Sequence, residues 1–166
     1  MDKVDARILS LLQENGRVSN VEIARQVGMV PSGVLERIRK LEENGFILEY
    51  TTHLNPEAVD LGLLAFIFVR TSEPPGSMTV SEHFAKLTEI LEVHHVAGDD
   101  CYLLKIRQAN NHSLALFLRE KIGSIPEVTS TRTIIVLETI KETARLFLSG
   151  LTTEKLKNST EKNENK

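Results

Sequence analysis

Glycines divide the first 45 residues into three short amphipathic segments, and this division constrains the fold more than any other feature of the sequence. The first segment carries apolar residues at helical spacing, namely Val4, Ile8, Leu11 and Leu12. It begins at Asp2, a residue type that caps helices well, and it ends before Gly16. One amphipathic helix is therefore predicted here.

The second and third segments are separated by a tight turn at Gly28-Met29-Val30. Ser19 and Glu22 have the spacing of a capping box, which predicts the start of a second helix. Pro31 favours the first turn of a third helix because its fixed φ is already helical, and Gly45 ends that helix. Three short helices with a tight turn between the last two form a helix-turn-helix.

The third helix has two different faces when its residues are placed about 100° apart around the axis. Val34, Ile38 and Leu41 share an apolar face that packs. The other face fits the major groove, where arginine pairs with guanine edges and apolar side chains touch thymine methyl groups. The predicted DNA-contacting residues are Ser32, Gly33, Leu35, Glu36, Arg37, Arg39 and Lys40. The alternative is a solvated face whose charges form ion pairs three or four residues apart.

Beyond residue 62 the patterns alternate between strand and helix. Every residue from Leu63 to Val69 is apolar, which is typical of a strand buried on both faces or against a partner. The patterns that follow predict a helix with a capping box at Thr79-Val80-Ser81-Glu82, strands Glu92–Ala97 and Cys101–Gln108, a helix Ser113–Ile122 and a strand Val128–Val136. The order β-α-β-β-α-β is the ferredoxin-like pattern.

The predicted fold class is therefore α+β, with an N-terminal helix-turn-helix (winged-helix-like) domain and a C-terminal ferredoxin-like βαββαβ domain. We place the first domain at residues 1–48, an extended linker at 49–62 and the second domain at 63–150. A last short helix is expected around Glu142 to Leu148. Residues 151–166 are mostly Lys, Glu, Asn, Ser and Thr, which predicts a disordered tail.

Composition excludes several classes of protein. No apolar run approaches the roughly 20 residues that cross a bilayer, so we expect a cytoplasmic protein without membrane association. The formal charge of −3 argues against nonspecific coating of nucleic acid and leaves specific binding open. The single cysteine, Cys101, and the five histidines have no metal-ligand spacing, so no metal or other cofactor is expected. Two roles stay open for Cys101, a redox or metal sensor and a small residue that fills the sheet.

Several short motifs occur in order along both halves of the chain. In the first half they are Asp5-x-x-Ile8-Leu9-x-x-Leu12, Gly16-Arg17-Val18-Ser19, Glu22-Ile23-Ala24 and Val34-x-x-Arg37-Ile38-x-x-Leu41-Glu42-x-x-Gly45-x-Ile47. In the second half they are Gly98-Asp99 and Val128-x-x-Thr131-x-Thr133-x-Ile135-Val136-Leu137. By these motifs residues 2–148 resemble the leucine-responsive regulatory protein/AsnC family, the feast/famine regulators. The chain departs from the family pattern in two places: Val30 replaces a usual serine, and Asp100-Cys101 replaces Tyr-Asp.

The resemblance implies a sequence-specific DNA-binding transcriptional regulator whose assembly or DNA affinity responds to a small metabolite such as an amino acid. It places the effector near the hairpin turn, between subunits, and implies Gly98, Asp99, Asp100, Thr131 and Thr133 as effector-binding residues. Glycine N–H groups can receive a carboxylate, an aspartate can attract an ammonium, and threonine hydroxyls can complete the polar shell. The alternative is that these aspartates and threonines are only good turn and strand residues.

The resemblance also implies a homodimer that assembles to a tetramer or octamer and binds double-stranded DNA. A lone ferredoxin-like sheet has one bare face, and the apolar run 63–69 favours covering it with a second copy. The alternative is that the run packs on the chain's own helices. Two other functions stay open, a ligand-independent architectural DNA-binding protein and a haem-pathway decarboxylase-like enzyme. We expect no enzyme, because the sequence has no nucleophile–base spacing and no glycine-rich phosphate loop.

Overall fold

The computed structural model describes residues 1–74, 76–98 and 100–148, which form two compact units. One unit contains Met1–Thr52 and the segment that starts at Glu142, and the other contains His53–Lys141. The predicted second domain, residues 63–150, differs from this second unit at both ends, because residues 53–62 join the unit and the segment from Glu142 leaves it. The predicted tail at 151–166 lies outside the described residues.

Three helices build the first unit, as the sequence predicts. They are α1 (Lys3–Glu14), α2 (Asn20–Val27) and α3 (Pro31–Glu43). Their apolar faces meet in a core of Ile8, Leu9, Leu11, Ile23, Ala24, Val34, Ile38 and Leu41. Gly28 ends α2 in the left-handed conformation with a φ of 69°, which a residue without a Cβ adopts at little cost. The helix-turn-helix prediction is confirmed.

The N-termini of the three helices differ in their caps. Asp2 and Asp5 form a reciprocal capping box on α1, in which each carboxylate accepts the other residue's N–H at 2.8 Å. Ser19 Oγ accepts from the Glu22 N–H at 3.2 Å, so the serine half of the predicted capping box on α2 is confirmed. The other half is wrong, because the Glu22 carboxylate accepts from Arg25 and Gln26 instead of reaching back. Val30 stands at the cap position of α3 and offers no side-chain hydrogen bond.

The segment from Glu142 to Leu148 has no helix, so the short helix predicted there is wrong. Its backbone bonds to a side chain of α1 instead. Gln13 Oε1 accepts from the Leu146 N–H at 2.6 Å, and Gln13 Nε2 donates to the Leu146 carbonyl at 3.1 Å. Arg145 donates to a C-terminal carbonyl of α1 at 3.3 Å, and Leu148 packs against the helical core. These contacts satisfy backbone groups that a helix would have satisfied internally.

The second unit is built on a four-stranded antiparallel sheet in the order β2-β3-β1-β4. Its elements are a 3-10 turn (Glu57–Val59), β1 (Leu63–Thr71), α4 (Thr79–Ala85), β2 (Ile90–His95), β3 (Tyr102–Gln108), α5 (Asn111–Phe117) with a π-helical turn (Leu118–Ile122), and β4 (Val128–Ile135). The predicted order β-α-β-β-α-β and the ferredoxin-like α+β fold class are confirmed.

The central strand β1 has two unlike faces. Ala65, Ile67 and Val69 are fully buried in a core that includes side chains of α4 and α5. Phe66 and Phe68 point the other way and are half-buried. With their register partners they form what we call the open face, made of Phe66, Phe68, Leu103, Lys105, Arg132 and Ile134. The apolar run thus packs on the chain's own helices along one face only.

The capping box predicted at Thr79-Val80-Ser81-Glu82 is wrong, because α4 receives its cap from a residue before the helix. Glu73 Oε1 accepts from the Val80 N–H at 2.9 Å and from the Ser77 hydroxyl at 2.8 Å. Glu73 Oε2 accepts from the Tyr102 hydroxyl at 3.2 Å. Burial raises the pKa of Glu73, but these hydrogen bonds outweigh burial and hold the pKa below its ordinary value.

Candidate DNA-binding and effector sites

One face of α3 is open to solvent, because Val34, Ile38 and Leu41 turn the opposite face into the core. Of the residues predicted to contact DNA, five are exposed, namely Ser32, Leu35, Glu36, Arg39 and Lys40. Gly33 is half-buried, and a Cβ built on it would lie 3.0 Å from the end of the Met29 side chain. The absence of a side chain at residue 33 therefore lets the turn before α3 pack closely.

Two ion pairs run along this exposed face. Arg39 Nε lies 2.9 Å from Glu43 Oε1, and Lys40 Nζ lies 3.5 Å from Glu36 Oε1, both at i,i+4 spacing. These are the ion pairs that the alternative of a solvated face predicts for the chain without DNA. Exposed pairs of this kind stabilise a helix only weakly, so a phosphate can replace either carboxylate with little loss.

Arg37 is the predicted DNA contact that turns away from this face. Its Nη1 donates to Asp2 Oδ2 at 2.8 Å and to Asp5 Oδ1 at 2.6 Å. The Arg37 side chain is 31% exposed, whereas that of Arg39 is 70% exposed. The hydrogen bonds from Arg37 to Asp5 and Asp2 raise the pKa of Arg37, and the Asp5 N–H together with Arg37 lowers the pKa of Asp2 against the effect of burial. The structure places this guanidinium against α1.

The turn between β2 and β3 carries the first three residues of the predicted effector set. Gly98 has a φ of 137°, a backbone conformation that residues with a Cβ rarely adopt. Asp99 lies outside the described residues. Asp100 Oδ2 accepts from Arg132 Nη2 at 3.0 Å, so an ion pair ties the turn to β4.

Arg132 also contacts Phe68, and sequence reasoning missed both of its contacts. The guanidinium carbon lies 4.0 Å from the centre of the Phe68 ring, within the range of a cation–π interaction. The two residues are register partners on neighbouring strands. Alternation along β4 puts Arg132 and Thr131 on opposite faces, but the sequence alone does not reveal which strand lies beside β4.

Thr131 and Thr133 lie on the other side of β4 from Arg132. They pair in register with Val69 and Ile67, whose side chains face the helices. Because successive side chains of a strand alternate, the two threonine hydroxyls and the Asp100–Arg132 pair lie on opposite faces of β4. Within one chain, the described residues of the predicted effector set do not converge on a single pocket.

Cys101 is half-buried and packs against the core of the sheet, as the space-filling alternative requires. Its Sγ lies 3.5 Å from the backbone nitrogen of Thr71. Within residues 1–74, 76–98 and 100–148, no three side chains of His, Cys, Asp and Glu are grouped so as to hold a metal ion. In the same part of the chain, no helix has the length and apolar character needed to cross a membrane.

A helix-turn-helix with an exposed polar face on its last helix, carried in one chain with a ferredoxin-like domain, defines a two-domain DNA-binding regulator. Residues 1–47 match the family model of a winged helix-turn-helix DNA-binding domain, and residues 64–146 match that of the Lrp/AsnC ligand binding domain. The chain belongs to the Lrp/AsnC family of transcriptional regulators. The family predicted from the sequence motifs is confirmed.

Relatives and solved structures agree with this assignment. The leucine-responsive regulatory proteins of Escherichia coli (strain K12) and Salmonella typhimurium are each 41% identical to this chain over 152 residues, covering 89% of the chain and 92% of each relative. A transcriptional regulator/L-Met complex from Neisseria meningitidis is 34% identical with a TM-score of 0.86, over 92% of this chain and 99% of that one. Escherichia coli AsnC is 25% identical with a TM-score of 0.81, over 89% and 98%.

Proposed function

We propose that this regulator binds double-stranded DNA through the exposed face of α3 and responds to an amino acid. The observation that carries the proposal is that α3 buries Val34, Ile38 and Leu41 in the core and leaves a row of polar and basic side chains, together with Leu35, in solvent. The proposed DNA-reading surface consists of Ser32, Gly33, Leu35, Glu36, Arg39 and Lys40.

Four residues of this surface carry chemical groups that suit DNA recognition. Ser32, near the N-terminus of α3, can bond to base edges, and the guanidinium of Arg39 can bond to guanine or to phosphate. Lys40 supplies a further positive charge for the phosphate backbone. Leu35 is 57% exposed, and its apolar side chain suits contact with a thymine methyl group.

An amino acid is the proposed effector class, and a second copy of the chain is proposed to complete its site. The Neisseria meningitidis relative is a complex with L-Met. The proposed contacts are Gly98, Asp99, Asp100, Thr131 and Thr133. The cleft beside α4, lined by residues that include His83 and Glu127, has a cavity volume of about 150 Å³, below the roughly 300–1,000 Å³ of ordinary ligand pockets. The proposed effector pocket is instead one that two copies of the chain share.

We further propose a homodimer, formed through the open face and assembled to a tetramer or octamer in the cytoplasm. Phe66 and Phe68 are half-buried and Ile134 is 45% exposed in the single chain, and a second sheet would remove this apolar surface from water. An effector bound between dimers would shift assembly and thereby the number of α3 helices that engage neighbouring half-sites together.

The first test is binding of the whole chain to the upstream region of its own gene, at a stated salt concentration, with and without each amino acid. We expect specific binding that one amino acid changes, and about a tenfold loss of affinity in Arg39→Ala, which removes one DNA contact. Arg119→Ala is the matched control, because Arg119 is equally exposed and pairs with Glu120 in the other unit. No sequence-specific binding under any condition would overturn the proposed function.

The assembly part of the proposal has its own test. The mass of the particle is measured by sedimentation at the effector concentration that changes DNA affinity. We expect the two changes to occur together. A change in DNA affinity with constant mass would contradict the assembly mechanism and leave the DNA-binding function intact.

A further inference from the structure

We propose that Arg37 is a positioning residue that locks the orientation of α3 by binding both carboxylates of the α1 capping box. This inference rests on the proposed DNA-binding function and assigns Arg37 a different role from the one its sequence position predicts. Its neighbours Glu36 and Arg39 face solvent, while its own guanidinium is held by Asp2 and Asp5.

Each of the two carboxylates accepts one hydrogen bond from the backbone and one from Arg37. Asp2 Oδ1 accepts from the Asp5 N–H and Asp5 Oδ2 accepts from the Asp2 N–H, both at 2.8 Å, so the capping box occupies one oxygen of each carboxylate. The remaining oxygens, Asp2 Oδ2 and Asp5 Oδ1, both accept from Arg37 Nη1 at 2.8 Å and 2.6 Å. The capping box holds both acceptors in place, so the interaction has only the arginine side chain left to order.

Elsewhere α3 is held mainly by apolar packing, apart from the Tyr50 hydroxyl, which donates to Glu42 Oε1 at 2.9 Å in the last turn of the helix. Val34, Ile38 and Leu41 pack α3 into the core through aliphatic side chains, and apolar packing does not depend on the direction of individual bonds. Val30 offers no cap to fix the first turn. The Arg37 bonds therefore supply a directional restraint on rotation of α3 about its axis, and they act between α3 and α1 in the middle of the helix.

Recognition of DNA requires this restraint because hydrogen bonds to base edges have narrow geometry. A correctly placed bidentate contact contributes roughly fivefold to a hundredfold discrimination between bases. Contacts with the phosphate backbone depend on charge and tolerate small rotations better. Loss of the Arg37 interaction should therefore reduce specific binding more than nonspecific binding.

The test compares four chains: wild type, the double variant Asp2→Asn with Asp5→Asn, Arg37→Gln, and Arg39→Gln. Asparagine keeps an oxygen for the cap while removing the charge that holds the arginine. Each chain is titrated with a specific and an unrelated duplex over a range of salt concentrations. Far-UV circular dichroism and thermal unfolding establish the temperature at which all chains tested are folded.

We expect the double asparagine variant to lose about tenfold in specific affinity and to keep or slightly gain nonspecific affinity, because two negative charges are gone. Arg37→Gln should also lose specific affinity, with an unchanged salt slope. Arg39→Gln should reduce the salt slope by about one, as a phosphate contact does. Combining Arg37→Gln with both asparagines should cost no more specific affinity than one change alone, because both remove the same interaction.

The opposite pattern would overturn the inference. If Arg37 contacted phosphate, the asparagines would free it and strengthen binding to both duplexes, and Arg37→Gln would weaken both and reduce the salt slope. If only the unfolding temperature changed while specific affinity stayed that of wild type, the interaction would be purely structural. Should Arg37→Gln fail to fold, the asparagine variant still decides the question. Failure of wild type to bind specifically would instead contradict the proposed function itself.

Discussion

Glu73 connects three parts of the second unit through a single carboxylate. It accepts hydrogen bonds from the Val80 N–H at the start of α4, from Ser77 and from Tyr102 of β3. Hydrogen bonds to an ionised carboxylate are stronger than those between neutral groups. The charge on this one residue therefore affects the stability of the whole unit.

The free energy of unfolding should consequently decrease as the pH is lowered into the acid range. The pKa of Glu73 is lower in the folded chain than its ordinary value, so the unfolded chain takes up the proton first as the pH falls. The stabilisation is complete above the unfolded pKa and is lost as the pH falls through the folded one. Glu73→Gln should cost about 1 kcal/mol at neutral pH, and the difference from wild type should vanish in acid.

Urea unfolding from neutral pH into the acid range measures this effect. Glu82→Gln is the matched control, because Glu82 lies in the first turn of α4 and is exposed. A similar loss in both variants would mean that a general charge effect, rather than the Glu73 hydrogen bonds, stabilises the unit.

Three-residue spacing predicts the cap at Ser19 and fails at Thr79, and it can find only partners that are close along the chain. Ser19 caps α2 through the N–H of Glu22, as its spacing predicts. Glu73 reaches Val80 across seven residues, and Arg37 reaches Asp2 across thirty-five. Such partners become neighbours only after the chain has folded, so the sequence pattern does not select them.

At the scale of the element, α3 begins without a side-chain cap. Val30 occupies its cap position with φ −83° and ψ 148°, the extended conformation in which serine accepts a backbone N–H. Val30 is 65% exposed, so replacing it sacrifices little packing. Val30→Ser should therefore raise the free energy of unfolding by about 1 kcal/mol.

Chemical unfolding measures the free energy of unfolding of Val30→Ser and of the control variant Val21→Ser. Val21 is 66% exposed and lies within α2 rather than at a cap, so serine there should change stability little. Equal effects of the two substitutions would show that serine acts through exposure or chain entropy and not as a cap.

Residues 142–148 form no helix, and their backbone is hydrogen-bonded to the side chain of Gln13 instead of to itself. Gln13 makes two hydrogen bonds to the Leu146 backbone, each contributing about 0.5–1.5 kcal/mol. Gln13→Ala should speed hydrogen exchange of the Leu146 amide by about tenfold or more. The amide of Ile106, inside the sheet, should keep its wild-type rate. Unchanged exchange at Leu146 would contradict the role of Gln13.

For the whole molecule, sequence patterns predict elements and their order better than the sites those elements build. The order of β1 to β4 follows from alternation and turns, and the family motifs agree with it. The sequence predicts one effector set, yet Thr131 and Thr133 lie on the face of β4 opposite Arg132, which pairs with Asp100. Which side chains converge depends on strand register and on additional copies of the chain, and no local pattern encodes either.

The two faces of β4 permit a direct test of assembly. Ile134 lies on the open face beside Phe66, and Ile135 lies on the other face beside Ala65. They are neighbours on one strand and are 45% and 43% exposed, so a glutamate at either position should disturb the isolated chain to a similar degree. Their effects should differ only where another copy covers one of the faces.

Ile134→Glu should weaken self-association by about tenfold or more, because a charge buried at an interface without a partner is costly. Ile135→Glu should leave association close to that of wild type. Sedimentation equilibrium over a range of concentrations measures both constants, and circular dichroism checks that the chains are folded. If Ile135→Glu dissociates the particle and Ile134→Glu does not, the copies meet through the helix-side face, and the open face must be covered in another way.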